Sequence, residues 1–165
     1  MKQSIKQLLH EYDKVMNTRE RLEKIFGMIT DCHVTVGGSY ALKYLCEIFA
    51  EREVSDYDFI LYADEKGATK IKSFVSLMNV SMPVMSEAYM YTGHLSFYWG
   101  YLNGKKINII LKTDKYCPCA NFESLDEIID IKRKWCEEAI KNGKAPRVKD
   151  EEDIMKYDEW SSLPF

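Results

Sequence analysis

Two aspartates, Asp56 and Asp58, stand one residue apart in the segment SDYDFILYA. Alternate side chains of a strand share a face, so both carboxylates and Ile60 point to one side, and Tyr57 points to the other. Two acids this close repel each other, and burying them without a positive partner costs stability. Hard oxygen ligands of this kind suit Mg²⁺, which also binds triphosphate oxygens. The pair therefore predicts a metal site for Mg²⁺ or Mn²⁺.

A Gly-Gly-Ser sequence precedes the acidic pair and follows the β-prone run HVTV. Gly37 and Gly38 allow other groups to approach the backbone closely, and Ser39 can cap a helix through YALKYLCEIFA. The amide donors and the dipole at a helix N-terminus favour phosphate. The order of these segments predicts a strand, a phosphate-binding turn with its helix, and a second strand that holds the metal.

The remaining elements follow from apolar periodicity and turn residues. Apolar residues at helical spacing between Ile5 and Phe26 predict helix, with NTRE as a restart point between two helices. A helix is expected over about 68–78. The segment LSFYWGYLNGKKINIILK alternates in the manner of two strands, and Asn103-Gly104 between them suits a tight hairpin turn.

The C-terminal third predicts two helices. Ser124 and Glu127 form a capping-box pattern, and the helix that follows is expected to run to about Asn142 and to end at Gly143. A last helix is expected to begin near Asp150. The predicted fold class is α/β in the α+β sense, with a mixed β-sheet flanked by helices in a single domain, 1–165. Its parts are a helical segment 1–30, a sheet core 31–115 and C-terminal helices 124–160.

The motifs GGSYALKYL and REVSDYDFIL resemble the signature of the nucleotidyltransferase fold of the DNA polymerase beta superfamily, in which Gly-Gly-Ser is followed by Asp-x-Asp on the next strand. The pattern is most similar to the AbiEii-type toxin nucleotidyltransferases and related minimal bacterial members. In that group an Arg and a Ser or Thr often precede the acidic pair, and Arg52 and Ser55 match them. In the same group a lysine on a later helix and a Lys-Asp pair complete the site. Lys132 in EIIDIKRKW matches the lysine, and Asp150 in RVKDEEDI matches the aspartate of the pair.

Lys132 and Asp150 each have a second interpretation from the sequence. Lys132 falls in the apolar stripe formed by Leu125, Ile128, Ile129, Trp135, Cys136, Ala139 and Ile140. Its ammonium either extends to water at the edge of the core or meets a phosphate or the acidic pair. Asp150 stands where a helix cap belongs, which would explain it without a role in the site.

The resemblance is incomplete at one position. Many superfamily members supply a third carboxylate from a later strand, and Asn108 in KKINIILK stands at the matching place. An asparagine is a weak magnesium ligand and cannot act as a general base. Either another acid takes this role, with Glu87, Asp114 and Asp150 as candidates, or the protein binds nucleotide with little or no turnover.

Composition excludes several other classes of protein. The chain of 165 residues has a net charge of −3 from 23 basic and 26 acidic residues, so a purely electrostatic nucleic-acid binder is not expected. No segment has the roughly 20 apolar residues of a membrane span, and the N-terminus lacks a signal-peptide core. Five cysteines without regular spacing predict reduced thiols in the cytoplasm.

The expected function is transfer of a nucleoside monophosphate from a nucleoside triphosphate to an acceptor hydroxyl, with magnesium as cofactor. The acceptor stays open among an RNA end such as that of tRNA, a protein and a small molecule. The resemblance to toxins also implies an antitoxin or another protein partner. No membrane contact is expected, because no segment has the length and apolar character of a membrane span. The alternatives are a catalytically weakened nucleotide-binding protein and an accessory or structural protein that retains the fold.

Overall fold

The computed structural model describes residues 3–81, 86–88, 95–113 and 120–164, with the backbone alone at 79–81 and 86–88. This part of the chain forms a mixed α/β fold, as the sequence predicts. Its elements in chain order are helix α1 (Ile5–Gly27), strand β1 (His33–Gly37), helix α2 (Gly38–Leu45), a 3₁₀ turn (Glu47–Phe49), β2 (Tyr57–Tyr62), α3 (Glu65–Ser81), β3 (Ser86–Ala88), β4 (Leu95–Leu102), β5 (Lys105–Lys112), α4 (Leu125–Lys141) and α5 (Val148–Ser161).

The described strands form one sheet in the order β1-β2-β5-β4-β3. Strands β2 and β5 are parallel, and the other neighbouring pairs are antiparallel. A parallel pair needs a long connection between its strands, and here α3, β3 and β4 provide it. Strand β2, which contains Asp58, is therefore an interior strand with a neighbour on each side.

The two faces of the sheet have different roles. On one face, Phe59 and Leu61 of β2 join a large core with Phe26 of α1 and Ile71 of α3, all of them fully buried. On the opposite face, Ile60, Tyr62 and Ile110 form a much smaller apolar cluster. A third cluster joins α2, the 3₁₀ turn and α4 beside that second face. The second face is thus left partly open under the helices.

The N-terminal segment is one continuous helix, so the predicted restart at NTRE is wrong. Thr18 of this segment lies inside the helix, where its hydroxyl donates to the carbonyl of Lys14 at 2.8 Å. The apolar stripe also differs from the prediction, because Ile5 is 77 % exposed, while Glu11 and Arg19 are buried. These two polar residues have partners, since the Tyr57 hydroxyl donates to Glu11 at 2.8 Å and Arg19 donates to the Val34 carbonyl at 3.0 Å.

The hairpin and the boundaries of α4 agree with the sequence. Asn103 and Gly104 have φ values of 52° and 76°, which are the positive angles that a tight hairpin turn requires. Ser124 caps α4 by accepting from the Glu127 amide at 3.1 Å, and the chain leaves the helix at Gly143 with φ 71°. Ile140, which was assigned to the apolar stripe, is instead 65 % exposed. Helix α3 is longer than predicted, and α5 begins at Val148 rather than at Asp150.

Two of the candidate acids lie outside the described part of the chain, namely Asp114 and the side chain of Glu87, as do Cys117 and Cys119 of the five cysteines. Within the part described, Cys46 and Cys136 are free thiols. No helix in the described ranges is both long and apolar enough to span a membrane.

Candidate functional site

A cavity of about 200 Å³ lies over the second face of the sheet, under α4. Most of the residues that the sequence assigns to a site line it. The lining consists of Gly38, Ser39, Arg52, Ser55, Asp56, Asp58, Ile60, Tyr98, Asn108, Ile110, Lys112, Glu123, Ile128, Ile131, Lys132, Trp135 and Arg147. Residues as far apart in sequence as Gly38 and Arg147 thus meet around one space.

The Gly-Gly-Ser turn lies directly against the second aspartate. Gly37 ends β1 opposite Asp58 in the β1–β2 register, and α2 begins at the next residue. Gly38 has a φ of +64°, and a Cβ atom at this position would overlap the Asp58 carboxylate. Only glycine fits there, because the position combines a left-handed conformation with this close approach. The N-terminus of α2 is therefore held against a carboxylate.

The predicted role of Ser39 as a helix cap is wrong. The cap residue of α2 is Gly37, and no side chain accepts a hydrogen bond at this helix end. The extended backbone of Gly37 leads straight from β1 into the helix and leaves no position for a serine cap. Ser39 lies in the first turn of α2 and lines the cavity. Its hydroxyl and the adjacent backbone amides are thus available to a ligand.

Asp56 and Asp58 both line the cavity, but only Asp58 belongs to the strand, since β2 begins at Tyr57. Asp58 is closely surrounded by protein atoms and keeps partial contact with the solvent in the cavity. Burial raises its pKa from 3.8 to about 6, and the charge of Asp56 contributes to the rise. Hydrogen bonding to Asn108 and the charges of Lys132 and Arg147 oppose this rise. The site therefore carries a charge that a cation would stabilise.

Lys132 lies in a buried ion-pair network between α4 and α5. Its Nζ is 2.9 Å from Oδ1 of Asp150 and 3.3 Å from Oδ2 of Asp153, and only 6 % of its side chain is exposed. Arg52 also binds Asp153, with Nε 2.9 Å from Oδ1 and Nη2 3.1 Å from Oδ2. The lysine points inward as predicted, and its ammonium meets carboxylates rather than water at the edge of the core.

The sequence suggested that Asp150 caps α5, but in the structure it does not. Arg147 occupies the cap position, and Asp150 is the third helical residue with 2 % exposure. Helix α5 starts earlier than predicted because Val148 and Lys149 form its first turn. Asp150 is not among the lining residues of the cavity, and it contacts the lining through its ion pair with Lys132.

Asn108 of β5 lies beside Asp58 in the sheet. It is the β5 partner of Asp58 in the parallel register, and its Nδ2 donates to Oδ1 of Asp58 at 3.2 Å. Among the other candidate acids, Glu87 lies in β3, two strands away from β5 in the sheet order. The position next to Asp58 that would suit a third carboxylate is therefore filled by an amide.

Three charged residues of the lining were not found from the sequence: Lys112, Glu123 and Arg147. Glu123 reaches the site because its segment runs beside β1, where its amide donates to the carbonyl of Val36 at 2.9 Å. Its carboxylate is 3.3 Å from Nζ of Lys112, and burial raises its pKa. In sequence, Glu123 only precedes a helix cap and Lys112 only ends a strand, so no local pattern indicates that either residue belongs to a site.

The charges of the lining suit a metal that is bound together with phosphate. In the described residues, no group of three or more His, Cys, Asp and Glu side chains could by itself hold a metal ion. Mg²⁺ is usually held by one or two carboxylates together with substrate phosphates, and Asp56 and Asp58 fit this arrangement. The cationic side chains of the lining, Lys132 and Arg147 among them, can meet phosphate oxygens.

The resemblance of the two motifs is not accompanied by a wider match. The chain matches no protein-family model, no curated protein and no solved structure.

Proposed function

We propose that the protein is a magnesium-dependent nucleotidyltransferase that moves a nucleoside monophosphate from a nucleoside triphosphate to an acceptor hydroxyl. One observation carries the proposal: the N-terminus of α2 at Gly38 lies against Asp58 in a cavity that Asp56 also lines. An anion-binding helix end and a pair of metal-binding carboxylates are thereby adjacent. The order of β1, α2 and β2, with the antiparallel β1–β2 and parallel β2–β5 pairings, supports the family resemblance.

Each lining residue would have a separate role in binding metal or phosphate. Asp56 and Asp58 hold the metal, which neutralises phosphate charge when it is bound. The amides at Gly38 and Ser39 bind phosphate oxygens. Lys132 has three N–H donors; one donates to Asp150, the ammonium also forms an ion pair with Asp153, and a remaining donor can bind phosphate in the cavity that the side chain lines.

A second candidate is a protein that binds nucleotide without turnover. The hydrogen bond from Asn108 to Asp58 favours this alternative, because an amide replaces the expected acid and also engages one oxygen of the metal-binding carboxylate. An asparagine can neither accept a proton from the acceptor hydroxyl nor supply negative charge for a second metal. The two candidates share the bound nucleotide and differ in the chemical step.

The first experiment measures binding by thermal unfolding. Mg²⁺ with ATP should raise the melting temperature, because a ligand that binds only the folded state stabilises it. The double variant Asp56→Asn with Asp58→Asn should lose this response. The exposed pair Asp13→Asn with Asp31→Asn removes the same charge elsewhere and should respond as the wild type does. Equal responses of the site variant and the wild type would rule out the metal assignment.

The second experiment measures transfer. Nucleoside triphosphates labelled at the α-phosphate are incubated with the protein, Mg²⁺ and either total RNA, a protein extract or a small-molecule extract. Label in any of these acceptors that requires Asp58 supports transfer. Stabilisation by nucleotide without transfer selects the binding-only alternative, and absence of both contradicts the proposal.

A further inference from the structure

The cavity has an apolar side that metal and phosphate do not require. Beside the charged residues, its lining contains four isoleucines and two aromatic side chains: Ile60, Ile110, Ile128, Ile131, Tyr98 and Trp135. We call these six residues the apolar wall. A site for an inorganic anion alone would be lined by donors, whereas sites for organic ligands combine an apolar wall with a few polar groups. The wall therefore indicates an organic part of the ligand.

The sheet places Tyr98 at a defined distance from the metal-binding residue. Asp58 pairs with Asn108 of β5, and Asn108 pairs with Tyr98 of β4. Residues in register across neighbouring strands project to the same face, and strands are about 4.8 Å apart, so Tyr98 lies roughly 10 Å from Asp58 along the sheet. This spacing leaves room for a sugar between a phosphate at Asp58 and a ring at Tyr98.

Tyr98 differs from its aromatic neighbours in the strand. Phe97 and Trp99 project to the opposite face, where both pack against Phe26 of α1. The ring of Tyr98 lines the cavity, and the ammonium of Lys106 lies 4.7 Å from its centroid. Tyr98 therefore faces the cavity, whereas Phe97 and Trp99 pack in the core.

Helix α4 supplies the opposite side of the wall. Ile128, Ile131, Lys132 and Trp135 recur three and four residues apart, so they share one helical face, and all of them line the cavity. Nζ of Lys132 is 5.9 Å from the centre of the Trp135 ring. The same helical face thus presents a phosphate-binding cation beside an aromatic ring, which matches the adjacent charged and planar parts of a nucleotide.

We propose that the apolar wall is the base subsite, and that the nucleobase of the substrate stacks on Tyr98 and packs against Trp135 while its triphosphate lies at Gly38 and Asp58. This inference depends on the proposed function and adds to it the residues that recognise the nucleoside. Stacking on an aromatic ring tolerates any base because every base has a π-face. The site is therefore expected to accept several nucleoside triphosphates and to bind tripolyphosphate, which lacks a base, more weakly.

The test compares two ligands that differ by the nucleoside. Isothermal titration measures the Kd of Mg-ATP and of Mg-tripolyphosphate for the wild type, Tyr98→Ala, Tyr98→Phe and Trp135→Leu. Loss of a base-stacking ring typically weakens binding by roughly 5- to 100-fold. Tyr98→Ala and Trp135→Leu should therefore weaken ATP binding by a factor in this range and leave tripolyphosphate binding within about twofold, and Tyr98→Phe should behave as the wild type.

The control variant is Tyr101→Ala, which removes a ring of the same strand that is 71 % exposed and does not line the cavity. It should bind both ligands as the wild type does. The base subsite is refuted if Tyr98→Ala, folded by circular dichroism, weakens both ligands equally or neither. A different result bears on the proposed function: if Asp56→Asn with Asp58→Asn leaves tripolyphosphate binding intact, the metal and phosphate assignment fails, and the base subsite fails with it.

Discussion

Asn108 donates a hydrogen bond of 3.2 Å to Oδ1 of Asp58 from the neighbouring parallel strand. This amide stabilises the ionised form of a carboxylate whose pKa burial raises to about 6. It lowers that pKa without adding negative charge, which a carboxylate at the same position would do. The hydrogen bond thus offsets part of the cost of the buried charge when no metal is bound, but it supplies none of the negative charge that a second metal would need.

The first prediction concerns Asn108→Asp, which is nearly isosteric. Without metal, a third carboxylate beside Asp56 and Asp58 should lower the free energy of unfolding by about 1–3 kcal/mol, because the hydrogen bond is lost and like charges meet. With Mg²⁺, metal affinity should rise, and nucleotide transfer should become faster if the other groups are in place. Urea unfolding in EDTA and titration with Mg²⁺ measure both effects.

Brisk transfer by the wild type with no gain in Asn108→Asp would contradict this account. The acid would then come from another residue. Asp150 is the candidate from the sequence, and Glu123 is the candidate from the cavity lining. Glu123→Gln and Asp150→Asn would be compared next in the same assay.

The second prediction concerns Gly38→Ala. An alanine at φ +64° costs about 1–2 kcal/mol, and its methyl group would also displace the Asp58 carboxylate. Gly143→Ala is the matched control, because Gly143 has φ +71° and no heavy atom within 4 Å of its Cβ position. Both variants should lose stability, and only Gly38→Ala should lose the rise in melting temperature with Mg-ATP. Equal responses of the two variants would show that contact with Asp58 is not needed for binding.

Features that depend on residues close to one another in sequence could be predicted. Asn103-Gly104 specifies its turn because few other residues adopt two consecutive positive φ angles. Ser124 specifies the start of α4 because its hydroxyl satisfies an amide of the first turn. The Gly-Gly-Ser and Asp-x-Asp motifs are close in sequence, and the antiparallel β1–β2 register brings Gly37 opposite Asp58.

Features that depend on tertiary contacts could not be predicted. Glu11 and Arg19 break the apolar stripe of α1, yet both are buried because partners on other elements satisfy them. Asp150 had the sequence features of a helix cap, and only the packing of α5 on α4 shows that its partner is Lys132. Glu123 enters the site through backbone pairing with Val36, for which the sequence contains no signal.

The third prediction concerns Lys132→Met. A lysine with its ammonium at the surface would tolerate this change, but here it leaves Asp150 without its closest ion-pair partner in a buried site. Removing one partner of a buried ion pair costs about 3–5 kcal/mol, so the variant should be strongly destabilised in urea unfolding. The double variant Lys132→Met with Asp150→Asn should recover most of this loss, because no uncompensated charge remains at that pair.

The double variant separates the structural role of Lys132 from its role in chemistry. A folded double variant that binds Mg-ATP and transfers no label, where Asp150→Asn alone still transfers, would assign the lysine to phosphate chemistry. A folded double variant with full transfer activity would limit the lysine to structure. No destabilisation in the single variant would contradict the buried network itself.

The last prediction concerns the pH dependence of stability, and it follows from Asp58. The pKa of this carboxyl is about 6 in the folded protein and 3.8 in an exposed chain, mainly because it is buried. Between these values the folded state binds more protons than the unfolded chain does. The contribution of Asp58 to stability is therefore fully present below about pH 4 and is lost as the pH rises through about 6.

The variant Asp58→Asn has no carboxyl group to ionise at this position, so its stability does not fall in this way as the pH rises. Its side chain keeps an oxygen that can accept the hydrogen bond from Asn108. In EDTA at pH 8 it should be more stable than the wild type by about 1–3 kcal/mol, and the difference should disappear near pH 4. The exposed Asp31→Asn is the control for the removal of one negative charge. Urea unfolding at pH intervals from 4 to 8 measures the three proteins. A difference between wild type and Asp58→Asn that is constant over this range would show that Asp58 ionises as an exposed aspartate does, and the cost of burying its charge, which a metal is expected to relieve, would not exist.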